Sequence, residues 1–457
     1  MNLKTIQNVY LVGIGGIGMS ALARYFVSQG KSVAGYDRTE TELTKELIAE
    51  GMDIHFEDNL KLIPSFFFNT EQTLVIYTPA IPSGHEELNY FRENGFKVKK
   101  RSEVLGLLTE NYFTIAVAGT HGKTTTSSIA AHILNNSEEG CTAFLGGIAV
   151  NYHSNLLLSS TSDKMVVEAD EYDRSFLTLN PDVAIVTSTD PDHLDIYGTK
   201  ENMEKNYHEF VSKIKETGTL IYKAGLSFSE TAKKSFTYSL KGKSDFGIEN
   251  LKVESGEYTF DIISPLENIE NVKFCFPGMH NLENALAASA AAQVSGVNKE
   301  VIKKALATYK GVKRRFEYII KNENLVFIDD YAHHPRELSA CISSAKALYP
   351  DKKITGIFQP HLFSRTRDFA DGFAKSLDLL DEVILLEIYP ARELPIDGVD
   401  SKMLLDKITA KNKSLLSKED TLKEIGERKL EVLLTLGAGD IDKLVEPIKK
   451  KLLSVTV

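Results

Sequence analysis

The stretch Thr114-Ile-Ala-Val-Ala-Gly-Thr-His-Gly-Lys-Thr-Thr-Thr126 decides the fold, because in it an apolar strand runs directly into a glycine-lysine-threonine turn. Ile115 to Ala118 are typical of a buried strand. Gly119 and Gly122 allow the backbone to bend so that its N–H groups face an anion. A helix that begins right after the turn adds positive potential at its N-terminus. The pattern predicts an α/β fold with a phosphate-binding loop.

The side chains of this loop indicate nucleotide chemistry. Lys123 is placed to reach the β- and γ-phosphates, and Thr124 is placed to offer its hydroxyl to magnesium. The strict phosphate-loop pattern would put a further glycine at Val117, so the match is partial. A ligand-free strand-to-helix turn is the alternative.

A second glycine turn lies near the N-terminus, where the strand Val9 to Gly13 runs into Gly13-Ile-Gly15-Gly16-Ile-Gly18. A helix over Met19 to Phe26 and a strand over Ser32 to Tyr36 follow, and Asp37 comes 19 residues after the last glycine. This is the dinucleotide fingerprint, in which the helix N-terminus receives a pyrophosphate. NAD, a nucleotide-sugar and a purely structural turn all remain open. A later strand, Leu74 to Tyr77, leads into a rigid loop that begins with Thr78 and Pro79.

Two polar sites follow predicted strands of the central region. Glu168 ends the strand that begins at Met165, the usual place for a carboxylate that meets the metal in front of a phosphate loop. His193 stands among three aspartates after the strand Val183 to Val186. A solvated acidic turn is the alternative for Glu168, and a surface loop is the alternative for His193.

Downstream, the segment from Gly218 to Pro277 is strand-rich, and an Ala-rich helix follows it. Asn281 and Asn284 lie on one face of the first turn of that helix, where capping is the alternative to ligand binding. Gly311 to Phe316 is typical of a linker, and its cations Arg314 and Arg315 could equally be a solvated run.

The C-terminal region alternates strands and helices again. Each predicted strand is followed by polar residues, which predicts functional clusters along one edge of a parallel sheet. The four strands are Leu325–Ile328, Ile354–Phe358, Val383–Leu386 and Val432–Leu436.

Length and composition set the frame. A chain of 457 residues predicts about three domains, which we place at 1–109, 110–310 and 311–457. The net charge of −10 argues against general binding to nucleic acid or anionic membranes. Three widely spaced cysteines, with no signal peptide or bilayer-spanning stretch, favour a reduced cytoplasmic setting.

Taken together, the motifs resemble the Mur ligase family of cell-wall amino-acid ligases over essentially the whole chain. The turn from Gly119 to Thr124 matches the family's own shortened phosphate loop, and the N-terminal glycine turn matches the signature of its alanine-adding branch. Two positions depart from that branch, which usually carries glycine at Ala332 and arginine at Leu362. Some relatives carry a carbamylated lysine after the His193 motif, and Lys205 is only a nearby candidate. The other matching motifs are Glu168-Ala-Asp-Glu171, Asp190-Pro-Asp-His193, His280-Asn281 with Asn284, Arg314-Arg-Phe316, Asp329-Asp-Tyr-Ala-His-His-Pro335 and Gln359-Pro-His361.

The resemblance implies a role for each matching residue. Lys123, Glu168, His193 and Arg315 are the implied catalytic residues, and Thr124, Glu168 and His193 are the implied ligands of two magnesium ions. In particular, Asn284 would meet the adenine, Asp330 the ribose and Arg315 a phosphate. The implied ATP site consists of Gly119, Thr120, His121, Gly122, Lys123, Thr124, Thr125, Asn281, Asn284, Arg315 and Asp330. The implied UDP-sugar site consists of Gly15, Gly16, Ile17, Gly18, Asp37, Thr78 and Pro79, and the implied amino-acid site of Tyr331, His333 and His334.

The resemblance also implies an activity and an architecture. It implies three domains: a Rossmann-like N-terminal domain for the UDP-sugar, a central ATPase-type α/β domain and a Rossmann-like C-terminal domain that closes over ATP and the amino acid. The implied reaction joins L-alanine to UDP-N-acetylmuramate with ATP, through an acyl phosphate, in a monomer or weak dimer. Three alternatives stay open: a recycling ligase that attaches a tripeptide, an NAD-dependent oxidoreductase, and a nucleotide-binding regulatory or scaffolding protein.

Overall fold

The computed structural model describes residues 3–191, 194–228, 231–254, 257–391 and 393–455. It divides into two compact units. The first comprises Met1–Leu251, Thr259–Lys273 and Glu283–Tyr309, and the second comprises Lys252–Tyr258, Phe274–Leu282 and Lys310–Val457. No helix of the described ranges is both long and apolar enough to cross a membrane.

The N-terminal part of the first unit is a five-stranded parallel sheet with the order β3-β2-β1-β4-β5. β1 is central and fully buried, which its apolar sequence predicts. The strands are β1 Asn8–Val12, β2 Ser32–Tyr36, β3 Asp53–His55, β4 Thr73–Tyr77 and β5 Lys97–Lys100. The helices are α1 Ile17–Ser28, α2 Glu42–Ala49, α3 Glu86–Glu93 and α4 Arg101–Thr109, with short 3-10 turns at Leu3–Thr5, Leu60–Leu62 and Ser65–Phe68.

The next part of the same unit is a seven-stranded sheet with the order β12-β11-β10-β6-β9-β7-β8, in which β7 and β8 pair antiparallel. The strands are β6 Phe113–Ala118, β7 Thr142–Ala149, β8 Ser154–Leu157, β9 Lys164–Glu168, β10 Val183–Val186, β11 Thr219–Lys223 and β12 Ser235–Tyr238. The helices are α5 Lys123–Asn135, α6 Leu194–Tyr197 and α7 Lys200–Ser212, and a 3-10 segment spans Tyr172–Thr178.

β6 lies between β9 and β10 and runs parallel to both. The segments that follow these three strands therefore meet at one edge of the sheet, as in other open α/β sheets. One hydrophobic core joins this sheet to the first one, because residues such as Val9 and Leu22 share it with Ala116 and Val167. The ring centroids of Tyr25 on α1 and Phe144 on β7 lie 5.5 Å apart within it.

The predicted strand-rich segment is confirmed. It supplies β11, β12 and a three-stranded sheet of β13 Gly247–Glu254, β14 Glu257–Ile263 and β15 Ile269–Phe274. The Ala-rich helix follows as α8 Met279–Val294, and then α9 Lys299–Thr308.

The C-terminal part is a six-stranded sheet with the order β16-β17-β21-β18-β19-β20, in which only β16 and β17 pair antiparallel among the strand pairs described. The strands are β16 Glu317–Lys321, β17 Val326–Asp330, β18 Ile354–Phe358, β19 Glu382–Leu385, β20 Lys413–Leu415 and β21 Val432–Leu436. The helices are α10 Pro335–Leu348, α11 Phe363–Asp368, α12 Ala370–Leu377, α13 Ser401–Lys407, α14 Lys418–Ile425 and α15 Asp442–Val455.

The predicted α/β fold class is therefore confirmed, and so is the single edge shared by the four predicted C-terminal strands. One detail of that edge differs from expectation. Asp329 and Asp330 lie inside β17 rather than in the loop after it. The domain boundaries 1–109, 110–310 and 311–457 stay predictions.

Candidate active site

The phosphate loop follows β6 as the sequence predicts. Gly119 and Gly122 adopt positive φ angles of 132° and 82°, conformations that favour glycine, and Gly122 is the N-cap of α5. Space is equally restrictive, since a Cβ on Gly119 would lie 2.8 Å from the backbone nitrogen of Ser188. Gly119 is therefore fixed by its backbone shape and by the packing of the loop after β10, and Gly122 by its backbone shape.

Lys123, the first residue of α5, points back into its own loop. Its Nζ donates to the Gly119 carbonyl oxygen at 2.8 Å and to both Glu171 carboxylate oxygens at 2.9 and 2.7 Å. Burial opposes the charge of this lysine most strongly, but Glu171, Asp170 and Glu168 outweigh it and raise the pKa of Lys123 to about 12. The loop thus keeps a fully charged ammonium beside a cluster of carboxylates.

The side-chain oxygens of Thr124 and Glu168 lie next to each other beside the phosphate loop. The Thr124 hydroxyl donates to Glu168 Oε1 at 3.1 Å, and the Gly146 N–H donates to Glu168 Oε2 at 3.0 Å. Any side chain at position 146 would collide with the Glu168 carboxylate. A hydroxyl and a carboxylate beside a phosphate loop are the donor set that Mg²⁺ prefers, because this ion takes a few protein oxygens and completes its shell with phosphate and water. The residues present therefore fit magnesium.

The predicted ligand of the second magnesium ion, His193, lies outside the described residues. Among those that are described, no group of three or more His, Cys, Asp or Glu side chains is arranged to hold a metal ion. Two hydrogen bonds involve the loop before it: the Thr120 hydroxyl donates to the Asp190 carbonyl at 2.7 Å, and the His121 N–H donates to the Ser188 hydroxyl at 2.9 Å. These bonds attach the phosphate loop to the segment that precedes His193.

The two asparagines of α8 have different surroundings. Asn284 is buried, and its amide packs on the phosphate loop so closely that a Cβ on Gly122 would lie 2.6 Å from Asn284 Oδ1. Asn281 is also buried, but its Nδ2 donates to the Pro277 carbonyl at 2.6 Å and so closes the turn before the helix. The structure therefore brings Asn284 to the phosphate loop, whereas it gives Asn281 a contact within its own turn.

The N-terminal glycine turn is closed by Asp37, the acidic residue that binds a ribose in the dinucleotide fingerprint. Asp37 accepts from the Gly15 N–H at 2.8 Å through Oδ2 and from the Thr39 N–H at 3.2 Å through Oδ1. Thr78 packs against the turn from the next strand, because a Cβ on Gly13 would lie 2.8 Å from the Thr78 methyl carbon. Asp37 and Thr78 thus lie against the glycine turn that holds Gly15, Gly16, Ile17 and Gly18, and Pro79 follows Thr78 in the segment after β4.

The structure also shows a residue that the sequence did not indicate. Asn155 on β8 is fully buried, and its side chain bonds to three successive parts of α1. Nδ2 donates to the Ile17 carbonyl at 2.5 Å and to the Ser20 hydroxyl at 3.0 Å, while Oδ1 accepts from Arg24 at 2.9 Å. Asn155 therefore joins the helix of the first glycine turn to the sheet of the second. In the sequence it is marked only by its position directly before the apolar run Leu156 to Leu158.

In the second unit, two buried aspartates organise the predicted nucleotide and amino-acid residues. Asp329 accepts from the Thr435 hydroxyl at 2.6 Å and from Arg314 Nε at 3.1 Å. Asp330 accepts from the N–H groups of Phe316 at 2.7 Å and Ala332 at 2.8 Å. Burial raises the pKa of Asp330 to about 6, although the charge of nearby Arg315 lowers it in part.

Arg315 and the predicted amino-acid residues lie in the same unit. The Arg315 guanidinium lies 5.3 Å from the centre of the Tyr331 ring, a cation–π arrangement. His333 Nδ1 lies 3.0 Å from the Tyr331 carbonyl, and burial lowers the pKa of His333. His334 instead caps α10, where its Nδ1 accepts from the Arg336 N–H at 3.4 Å. Tyr331 and His333 are thus close together, and His334 has a capping contact.

These features define an α/β protein with a phosphate loop of the ATPase type and a separate glycine turn near its N-terminus. Family models match most of the chain: the "Mur ligase family, catalytic domain" over residues 8–113, the "Mur ligase middle domain" over 117–292 and the "Mur ligase, glutamate ligase domain" over 314–441. The chain belongs to the Mur ligase family.

Individual relatives narrow the comparison. The UDP-N-acetylmuramate–L-alanine ligase of Phocaeicola vulgatus is 52% identical over 452 residues, which is 98% of this chain and 98% of that one. The crystal structure of the UDP-N-acetylmuramate–alanine ligase of Thermotoga maritima superimposes with a TM-score of 0.83 at 29% identity and covers 98% of this chain and 99% of that one. A murein peptide ligase from Psychrobacter arcticus shares the fold, with a TM-score of 0.70, 22% identity and 98% coverage of both chains.

Proposed function

We propose that this chain is an ATP-dependent ligase that joins L-alanine to the lactyl carboxylate of UDP-N-acetylmuramate in the synthesis of peptidoglycan precursors. The single observation that carries the proposal is 52% identity, along almost the full length of both chains, to ligases named for this reaction. The comparisons do not favour the oxidoreductase alternative, because the matching family and the relatives along the full chain are named as ligases.

The geometry of the phosphate loop supports the first chemical step. The substrate carboxylate attacks the γ-phosphorus of ATP, ADP leaves, and an acyl phosphate forms. Such a transfer needs positioning and charge neutralisation rather than a covalent group on the protein. Lys123 supplies a buried positive charge, and the loop N–H groups at the start of α5 supply hydrogen-bond donors.

In the second step, the neutral amine of L-alanine attacks the acyl carbon, and inorganic phosphate leaves from the tetrahedral intermediate. We assign Tyr331, His333 and His334 to the amino-acid site. Burial lowers the pKa of His333, which favours its neutral imidazole, and a neutral imidazole can accept a hydrogen bond from the amine of L-alanine. His333 is the better candidate of the two histidines, because the ring of His334 already caps a helix.

We assign one magnesium ion to Thr124 and Glu168, and a second to His193. Magnesium would neutralise charge on the transferred phosphoryl group. Asn284 is assigned to the adenine, Asp330 to the ribose and Arg315 to a phosphate. The other ATP residues are Gly119, Thr120, His121, Gly122, Thr125 and Asn281. We assign the UDP-sugar to Gly15–Gly18, Asp37, Thr78 and Pro79, and expect a monomer or weak dimer in the cytoplasm.

The proposal is tested by coupled phosphate release with ATP, Mg²⁺, UDP-N-acetylmuramate and single amino acids. We expect phosphate release that depends on L-alanine. The rates with glycine and L-serine are measured in the same way and compared with the rate for L-alanine. Release that requires L-alanyl-γ-D-glutamyl-meso-diaminopimelate and fails with every single amino acid would replace this function with that of the recycling ligase. ATP binding without any release would indicate the regulatory or scaffolding alternative.

A further inference from the structure

The ammonium group of Lys123 has used all of its donors. A lysine ammonium carries three N–H groups and no acceptor. Three oxygens lie within hydrogen-bond distance of Nζ: the Gly119 carbonyl at 2.8 Å and the two Glu171 carboxylate oxygens at 2.9 and 2.7 Å. A nucleotide phosphate can therefore bind this ammonium only if it takes the place of one of these oxygens.

The Gly119 carbonyl is the less replaceable of the two partners. It belongs to the loop backbone, and Gly119 is crowded by the Ser188 backbone and held at a φ of 132°. The loop would have to change shape to withdraw it. The Glu171 carboxylate sits on a side chain with rotatable bonds and can withdraw without any change of the backbone.

Glu171 is nevertheless firmly placed. It is only 1% exposed, its carbonyl oxygen accepts from the Tyr197 hydroxyl at 2.5 Å, and the same carbonyl accepts from the Arg174 N–H at 3.0 Å. A buried carboxylate is costly unless a cation accompanies it. Lys123 and Glu171 therefore stabilise each other inside the site.

From this arrangement we propose that Glu171 is a positioning residue for Lys123: it orients the ammonium toward the phosphate loop and is the partner that a nucleotide phosphate displaces. The inference rests on the proposed ATP-binding role of the loop. It gives the acidic residue three positions after Glu168 a task of its own, distinct from holding a metal ion.

The sign of the effect follows from competition. Glu171 and the nucleotide phosphates compete for one ammonium, so Glu171→Gln, which keeps the shape but removes the charge, is expected to tighten nucleotide binding. The same change leaves the ammonium with one neutral acceptor in place of two charged oxygens, so kcat falls. If Glu171 only stabilised the fold, its substitution would weaken nucleotide binding.

The experiment is calorimetric titration of the full chain with the β,γ-imido analogue of ATP and Mg²⁺, without sugar nucleotide or alanine. We expect Glu171→Gln to lower the Kd about 10-fold, the order of one hydrogen bond to a charged group. Steady-state turnover of the same variant is expected to show a lower KM for ATP together with a lower kcat.

Asp170→Asn is the matched control for charge alone. Asp170 raises the pKa of Lys123 through its charge, whereas the Nζ hydrogen bonds go to Gly119 and Glu171. We expect it to change the Kd less than about twofold, because the Asp170 carboxylate is half-exposed and pairs with Arg101 at 3.7 Å rather than with Lys123. In a Lys123→Met background, Glu171→Gln is expected to leave the Kd unchanged, because there is no ammonium to compete for.

A weaker or unchanged Kd for Glu171→Gln, or an equal decrease in the Lys123→Met background, would overturn the proposal. If Glu171→Gln shows no cooperative melting, Glu171→Asp provides the same test, because its shorter side chain reaches the ammonium less well. A Kd of Glu171→Asp that does not fall would count against competition between Glu171 and the nucleotide. The proposed reaction and this inference can fail separately. If the Kd values change as expected but no alanine-dependent phosphate release is seen, the proposed reaction is wrong, whereas the competition between Glu171 and the nucleotide is supported.

Discussion

The two glycine turns of the first unit share one backbone design and differ in the charges around it. Each ends a parallel strand in the interior of its sheet and opens a helix, α1 after Gly16 and α5 after Gly122. At the first turn, the Asp37 carboxylate accepts from the loop N–H of Gly15. At the second, the cation Lys123 folds back on its loop and is met by Glu171.

The difference shows what each part of the motif contributes. Strand, glycine turn and helix N-terminus make a place where an anion can bind, and both turns have it. Only the second adds a lysine and a hydroxyl-carboxylate pair, the groups that phosphoryl transfer requires. This difference is why we assign phosphoryl transfer to the second turn and the binding of the sugar nucleotide to the first.

The largest difference between the effects on catalysis and on sugar-nucleotide binding is expected from Lys123→Ala. Alanine-dependent phosphate release should fall by about 1000-fold or more, because this change removes the buried cation at the transferred phosphate. Binding of UDP-N-acetylmuramate, measured by calorimetry, should stay within about twofold, since that ligand is assigned to the other turn. Lys164→Ala is the control, because Lys164 begins β9 whereas Glu168, at the other end of the strand, lies beside the phosphate loop. A large loss of sugar binding in Lys123→Ala would contradict the division of roles.

Alanine substitutions in the turns themselves should differ in their effect on stability. Gly119→Ala places a Cβ against backbone at a positive φ and should lower the free energy of unfolding by about 3 kcal/mol. Gly18→Ala meets only the end of the flexible Arg101 side chain, and about 1 kcal/mol is expected. Urea denaturation measures both, with Gly84→Ala as control because its Cβ would meet nothing within 4 Å. Equal losses at the two turns would contradict the packing described.

Asn155→Ala tests the connection between the two turns. It removes three hydrogen bonds to α1, one buried and two partly buried, so we expect a loss of about 2 kcal/mol in the free energy of unfolding. The KM for UDP-N-acetylmuramate should rise several-fold, while the KM for ATP stays nearly constant. Asn8→Ala is the control, since Asn8 is also buried but bonds to Phe66 and Thr73 at the far end of β1. A rise in both KM values would point to a general loss of structure.

The smallest expected effect is a dependence of the free energy of unfolding on pH. His132 on α5 bonds to Tyr152 and Thr308, and burial lowers its pKa from 6.5 to about 4. Because the unfolded chain takes up this proton first, the free energy of unfolding falls as the pH drops from about 6.5 towards 4. Between pH 7 and 5.5 we expect a loss of about 1 kcal/mol, absent in His132→Gln. An identical pH dependence in the two proteins would rule out His132 as its source.

The local elements were well predicted by the sequence. β2, β10, β18 and β21 have the predicted bounds, because each is a run of mostly apolar residues flanked by polar or glycine residues. β5 was not predicted, since Lys-Val-Lys-Lys carries too little apolar pattern. It lies at the edge of its sheet, where lysines are tolerated. The end of β17 was placed too early, because Asp329 and Asp330 look like loop residues until Arg314, Thr435 and backbone N–H groups satisfy them.

The sequence by itself determined the two strand-turn-helix motifs, the lysine and threonine of the phosphate loop, and the order of motifs that identifies the family. Tertiary structure alone decided the partners: Glu171 for Lys123 across 48 positions, and Asn155 for Arg24 across 131. The physical reason is the separation along the chain over which each interaction acts. Strand and helix periodicities and glycine conformations are local properties, whereas a buried charge or amide finds its partner only when the packed sheets bring distant segments together.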